Sequence, residues 1–413
     1  MGFCRRWRLA PALLLIITGL ALSSEATPSR AEWLARVGAD RWHAAGYRGQ
    51  GVTVAVLDSG FRGWRSWLGR AIPSSVQTRS FRLDRQLEAR DSCHGVLCGE
   101  VIHTLAPDAQ LLFANWEPDR PDSFIQALAW ARQCGARIAT CSVIMPAWSD
   151  AEGGGPVHDA VAQVVGDGSR PGDLLCCACA GNTAQRHWTG RFLAGNDGYH
   201  QWQPGIVDNL VTPWSSDDRV SVELCWPGDA GFRLSVVDLA SGREIGRQEP
   251  ERGGHCAVVR FAPSRDAIYA ARVTATTPSA GPFHLSVLGG WLGCSTERGS
   301  IPFPGDGAAF VAVGAWELGG QRAGYSSCGP NGKSPKPDFV ATVPVPTVVR
   351  TRPFSGTSAA APQAAGLAAL LLSRNPSATA AEIRAALQAA AIDLAEPGHD
   401  PQSGFGLLRL PPP

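Results

Sequence analysis

Four residues of this chain have side chains that, brought together, would activate an alcohol for attack on a carbonyl. Ser358 lies in "FSGTSAAAP", between a small-residue turn and an alanine-rich run. A serine becomes a nucleophile only if a base takes its proton, a third group orients that base, and donors stabilise the developing oxyanion. His94, in "DSCHGVLCGE", is a base of the right type. Asp58, in "VLDSG", is a carboxylate directly after an apolar run, and Asn182 closes "CCACAGN" with a side-chain amide that can donate. Each has an ordinary alternative. Ser358 can be one more small residue at a helix start, Asp58 a loop aspartate and His94 a capping or packing residue. Asn182 can be a turn-former after glycine.

Whether they meet depends on the elements that carry them. "VTVAVLD", residues 52 to 58, is β-branched without polar alternation, as suits a parallel strand covered on both faces. Residues 94 to 105 predict a helix ended by Ala106-Pro107. "AQLLFANW" predicts a strand, "SFIQALAWARQCG" a helix, "ARIATCSVIM" a strand, "PVHDAVAQVV" a helix and "DLLCCACAGN" a strand. Alternating strands and helices imply an α/β fold with a parallel sheet. Asp58 then stands at the carboxyl end of a strand, where such folds place their sites. From Trp188 to Gly299 no helix is predicted. Short strands such as "RVSVELCW", "FRLSVVDL" and "FHLSVLGG" recur between turn residues and predict a β-sandwich. "AAFVAVGAW" resumes the parallel pattern, and helices are predicted over 357–373 and 380–391. The second opens on Thr379 and Glu382 in capping-box spacing. Ser358 at the first of these helices would meet unpaired N–H groups and a dipole favouring negative charge. Pro362 is expected in its first turn, where it is tolerated.

Bulk properties narrow the function class. The 413 residues carry 44% hydrophobic and 18% charged residues, so a sizeable core is expected. With 37 basic and 36 acidic residues there is no field for nucleic acid or an anionic membrane. Arg5, Arg6 and Arg8 precede the apolar run Leu9 to Leu22 and then Ser24 and Ala26, which predicts an export signal over 1–26. The run is shorter than the roughly 20 residues a membrane span needs. Twelve cysteines include Cys4 of that signal, leaving an odd number afterwards, so at least one thiol stays unpaired. Cys176, Cys177 and Cys179 read as small core residues rather than zinc ligands, and Cys225 and Cys256 can bridge two strands.

"VAVLDSG", "HGVLCGEVIHTLAPDA", "CACAGN" and "FSGTSAAAP" follow one another in the order found in subtilisin-like serine peptidases, which the chain resembles over residues 40–187 and 300–408. "YSSCGP" with "KPDFVA" also resembles the family's segment before its serine motif. The resemblance implies a subtilisin-like parallel sheet flanked by helices. It implies Ser358 as nucleophile, His94 as general base, Asp58 as the group holding His94, and Asn182 as oxyanion donor. Ser142, Gly154 and Gly181 would line the substrate. Peptides or proteins would be the substrates, hydrolysed by a secreted or periplasmic endopeptidase, with no nucleic acid, no membrane in the mature form, and a monomer expected. No cofactor is implied; calcium is frequent in the family, but no ligand cluster assigns a site.

The chain departs from that pattern at Val96, Glu100 and Ile144, which stand where Thr, Gly and Gly are usual, and Ile144 is expected to narrow the cleft. The 25 residues from Thr27 to Gly51 are too few for a folded propeptide. The organisation expected is therefore a signal at 1–26, a discontinuous peptidase domain at 27–187 and 300–413, and an inserted jelly-roll-like module at 188–299. That module either recognises substrate or only stabilises, and its tryptophans are either ligand-binding or core. A catalytically inactive binding protein on the same scaffold is the alternative function.

Overall fold

The computed structural model describes residues 27–250, 254–278 and 281–413; the expected export signal lies outside them. Two short helices open the chain, α1 (Arg30–Val37) and α2 (Ala39–Ala44), where the sequence suggested only a lead. A capping box between Ser29 and Glu32 starts α1. Both helices are pinned by tryptophans: Trp33 Nε1 donates to Gln363 Oε1 at 3.1 Å, and Trp42 Nε1 to the Pro411 carbonyl at 2.7 Å.

The alternating half follows as β1 (Thr53–Leu57), β2 (Val76–Phe81), α3 (His94–Leu105), β3 (Gln110–Trp116), α4 (Pro121–Gln133), β4 (Ile138–Cys141), α5 (Pro156–Val165) and β5 (Leu175–Cys179). An antiparallel stretch then intervenes: β6 (His187–Arg191), β7 (Asn209–Pro213), β8 (Val220–Cys225), β9 (Phe232–Asp238), β10 (Arg243–Gln248), β11 (Cys256–Phe261), β12 (Tyr269–Ala275), β13 (Pro282–Leu288) and β14 (Gly290–Leu292). The chain returns through β15 (Phe310–Glu317), β16 (Phe339–Val343), α6 (Thr357–Arg374) and α7 (Ala380–Ala390).

Seven strands form one parallel sheet, ordered β16-β15-β5-β4-β1-β3-β2. Its strands lack polar alternation because both faces are covered. Along β1, Val54 and Val56 enter the core shared with α3 and α6, while Ala55 and Leu57 enter the core shared with α4 and α5. The β5 cysteines divide the same way, Cys177 and Cys179 to the first core and Cys176 to the second. Burial pushes the thiols of Cys176 and Cys179 up to about 12, so they pack as small apolar groups. From β1 the chain runs to β2 and β3 on one side, then crosses to β4 on the other, which makes the carboxyl end of β1 a switch point.

The antiparallel strands form a five-stranded sheet, β10-β9-β12-β7-β14, and a four-stranded sheet, β11-β8-β13-β6. Both contribute to one core: Leu234 and Val236 from one sheet, Val222, Leu224, Leu285 and Val287 from the other, at every second position. β8 is buried on its other face too, because Ser221, Glu223 and Cys225 turn toward the parallel half. There the Glu223 carboxylate accepts from Ala147 N–H at 2.9 Å, and Cys256, paired with Cys225 across the strands, donates to the Ser149 carbonyl at 3.2 Å. Cys225 and Cys256 are thiols whose sulfurs lie 3.2 Å apart.

Candidate active site

Asp58 leaves the end of β1 fully buried, its N–H donating to the Ala114 carbonyl of β3. One carboxylate oxygen accepts from Gly60 N–H at 3.1 Å. The other lies 2.7 Å from Nδ1 of His94, the first residue of α3. This approach requires Gly95: a Cβ there would stand 2.5 Å from the Phe61 ring and 2.8 Å from the Asp58 Cβ. Burial lowers the His94 pKa, but the Asp58 charge and hydrogen bond outweigh it; the net shift is upward, with Arg350 opposing. The bond fixes the tautomer, leaving Nε2 as the free nitrogen.

Ser358 is the second residue of α6, and it lines the same cleft as His94, a space of about 420 Å³. Its Oγ donates to the Ser142 carbonyl at 3.3 Å. Contacts between a base and its nucleophile often tighten only in the substrate complex. α6 begins at Thr357 as predicted, which makes Pro362 its sixth residue and puts it past the first turn, where it was expected. The correction has a consequence: proline has no N–H, so the Ser358 carbonyl loses its helical partner. Ser142 Oγ donates to that carbonyl at 3.1 Å, and Cys98 Sγ approaches it at 3.7 Å. Ser142, directly after β4, therefore grips the serine's backbone as well as lining the cleft.

Asn182 follows β5. Its Oδ1 accepts from both N–H and Oγ1 of Thr357, at 3.1 and 3.0 Å, which turns Nδ2 the other way. Gly181 supports this by donating to Thr357 Oγ1 at 3.2 Å, and it too lines the cleft. Gly356 has φ +89°, and a Cβ there would lie 3.2 Å from Asn182 Nδ2 and 3.8 Å from Ser358 N. The space left by that absent Cβ is thus shared by two donors. Neither Asn182 Nδ2 nor Ser358 N–H has a partner among the described residues. At a helix start both favour a negatively charged oxygen.

The structure therefore brings Asp58, His94, Ser358, Asn182, Ser142 and Gly181 together. Gly154 is not among the residues lining the cleft. Its N–H donates to Asp150 Oδ1 at 2.9 Å, within a loop held by buried Asp306, which accepts from Ser149 Oγ and bonds His158 Nε2 at 3.0 Å. Ile144 does line the cleft, Val96 is in the core, and Glu100 is buried but satisfied by Val348 N–H at 2.7 Å and by Thr347 Oγ1.

Sequence reasoning missed Thr357, Cys98 and Arg186, and it left Trp214 among tryptophans that are either ligand-binding or core. Thr357 stands inside the quoted Gly-Thr-Ser run, and Cys98 is four residues past His94 on one helix face, so both carried a signal. Arg186 and Trp214 reach the cleft only because the antiparallel strands fold against it. Among the described residues, Asp58, His94 and Cys98 form the one His/Cys/Asp/Glu group compact enough for a metal, within 4.8 Å of one another, and two of them already bond each other.

A family model described as "Subtilase family" matches residues 49–406. Among curated proteins, Subtilisin E of Bacillus subtilis (strain 168) is 33% identical over 128 residues, 30% of this chain and 32% of its own. A subtilisin of Bacillus pumilus is 35% identical over 128 residues, 30% of this chain and 44% of its own. The matches thus span less than half the length of these relatives. Among solved structures, the Clostridium perfringens CspB protease superposes with a TM-score of 0.63 at 13% identity, covering 90% of this chain and 95% of that one. That likeness establishes the fold: a subtilisin-like parallel sheet flanked by helices, with antiparallel sheets added.

Proposed function

Because the chain belongs to the subtilase family, we propose that it is a secreted serine endopeptidase working through an acyl-enzyme on Asp58, His94 and Ser358. The observation that carries this reading is the 2.7 Å bond from a buried carboxylate to the imidazole that shares a cleft with Ser358. His94 Nε2 takes the Ser358 proton as Oγ attacks the peptide carbonyl. The carbonyl oxygen becomes an oxyanion, received by Asn182 Nδ2 and Ser358 N–H. Asp58 stabilises the imidazolium, which hands its proton to the leaving amine as the C–N bond breaks. A water, deprotonated by His94, then attacks the ester, and Ser358 leaves with that proton.

Peptides or proteins are the substrates in this reading, and the enzyme is a monomer that needs no cofactor. Residues 27–187 and 300–413 form the peptidase unit, with 188–299 inserted as a separate module. Export through residues 1–26 belongs to the same proposal; among the described residues no helix is long and apolar enough to cross a membrane. A fluorophosphonate probe tests the reading. Ser358 should be labelled, with labelling lost in Ser358→Ala and strongly reduced in His94→Ala. A folded protein that never labels would instead be a peptide-binding scaffold.

A further inference from the structure

Arg186 is a buried cation without an anion. It is 7% exposed, yet it lines the cleft beside Asn182. Its Nε donates to the Asn182 carbonyl at 3.1 Å, Nη2 donates to the same oxygen, and its guanidinium lies over the Trp214 ring at 4.7 Å. Nη1 has no partner among the described residues. Among the described residues the other deeply buried cation, Lys336, bonds Asp338 at 2.9 Å, and half-buried Arg272 bonds Asp208. Arg186 has no such carboxylate, and burial lowers its pKa to about 10, which still leaves it charged at neutral pH.

The cleft around it is lined mostly by neutral residues, and its fixed charges are cationic; the carboxylates of Glu117, Asp119 and Glu223 line the adjoining cavity instead. Arg90 lines the same space, makes no ion pair among the described residues, and no carboxylate lines the cleft with them. An unpaired buried charge is costly, and an arriving anion relieves that cost. A guanidinium with a free edge matches the planar geometry of a carboxylate. Since Arg186 is tied to the backbone of the residue carrying an oxyanion donor, the charge it seeks lies close to the scissile bond. Resting on the peptidase reading above, we propose that Arg186 forms a specificity subsite for a substrate carboxylate adjacent to the bond that is cut. That carboxylate is supplied by an acidic side chain or by the peptide's own C-terminus.

The test uses the full-length protein and paired fluorogenic peptides. One series carries Glu or Gln at each position flanking the scissile bond; the other ends in a free acid or an amide. At one position kcat/KM should favour the carboxylate by about tenfold or more, the scale of a charge-assisted hydrogen bond. The preference should weaken with salt. Arg186→Gln also loosens Asn182, so turnover of both partners falls. The ratio between them is the readout, and a merely structural arginine would not move it. It should collapse toward one in Arg186→Gln and be partly restored in Arg186→Lys. Should Arg186→Gln fail to fold, the wild-type ratio and the Arg186→Lys ratio decide alone. Equal cleavage of every pair by a protein that labels at Ser358 overturns the subsite only. So does a preference abolished by Arg90→Gln but unchanged in Arg186→Gln. A protein that neither labels nor cleaves overturns the peptidase reading, and the subsite with it.

Discussion

The parallel half and the antiparallel half each bury a carboxylate, and the two are partnered differently. Asp58 is fully buried at the end of β1 and accepts from a backbone N–H and from the His94 imidazole. Glu223, 4% exposed in the middle of β8, accepts from the Ser221 hydroxyl at 2.8 Å and from Ala147 N–H. Asp58 faces a group that can take up a proton and pass it on. Glu223 bonds only neutral donors, and its pKa is raised because burial outweighs those bonds. On the proposed mechanism, what separates a catalytic carboxylate from a structural one is therefore the partner: a titratable one in an open cleft, or a fixed one at a seam.

The largest test of this contrast is Asp58→Asn. An amide can donate to Nδ1, which favours the tautomer unable to accept the Ser358 proton. The expected loss in kcat is about 10⁴-fold, the scale known for this change in the triad of an unrelated serine peptidase. The protein should stay folded by circular dichroism. Turnover that stays within tenfold would make Asp58 as structural as Glu223. Next is Asn182→Ala, with an expected loss of about 10²–10³-fold in kcat and little change in KM, the scale known for such a donor in subtilisin of the same family. If turnover is unchanged, Asn182 is a turn residue positioned by Thr357 and nothing more.

Glu223→Gln should do little to catalysis and more to stability. A carboxyl whose folded pKa exceeds its unfolded value binds more protons when folded, so its contribution is complete below the unfolded value of 4.5. It is lost as pH rises through the raised folded value. Chemical denaturation across that window should show stability falling less steeply in Glu223→Gln than in wild type, with kcat/KM retained within a few-fold. An unchanged slope would mean Glu223 does not titrate differently on folding.

The same contrast explains what was legible in the sequence. In the parallel half, the candidate site residues sit at element ends beside short glycine-bearing motifs, so "VLDSG" and "FSGTSAAAP" announced their elements and the roles proposed for them. Strand periodicity also foretold β8, β9 and β13. Periodicity describes one face, however, and β8 is buried on two, so neither the seam at Glu223 nor the approach of Arg186 and Trp214 to the cleft was readable. Those contacts join residues far apart in the chain through packing between whole sheets. Helices α1 and α2 were missed for a related reason: each is short and held chiefly by tertiary bonds such as Trp42 to Pro411. Gly154, which the resemblance implied as substrate-lining, sits outside the cleft lining in a loop that Asp150 and Asp306 fasten, a placement set by tertiary bonds.

The finest test concerns how strongly the surroundings set the His94 proton. His94 must be neutral to act as a base, so an upward-shifted pKa places the acid limb of kcat/KM above the ordinary value of 6.5. Arg350 works against that shift from the loop before α6, where its guanidinium is tied to the Arg352 and Pro353 carbonyls at 3.0 Å. Removing its charge in Arg350→Gln should move the acid limb further upward, with the high-pH plateau unchanged. The displacement should be smaller than the effect of Asp58, whose charge acts more strongly on the ring, and it should shrink with added salt because Arg350 is exposed. A limb that moves downward in Arg350→Gln would mean that the exposed arginine reaches His94 through the fold of its loop rather than through its charge.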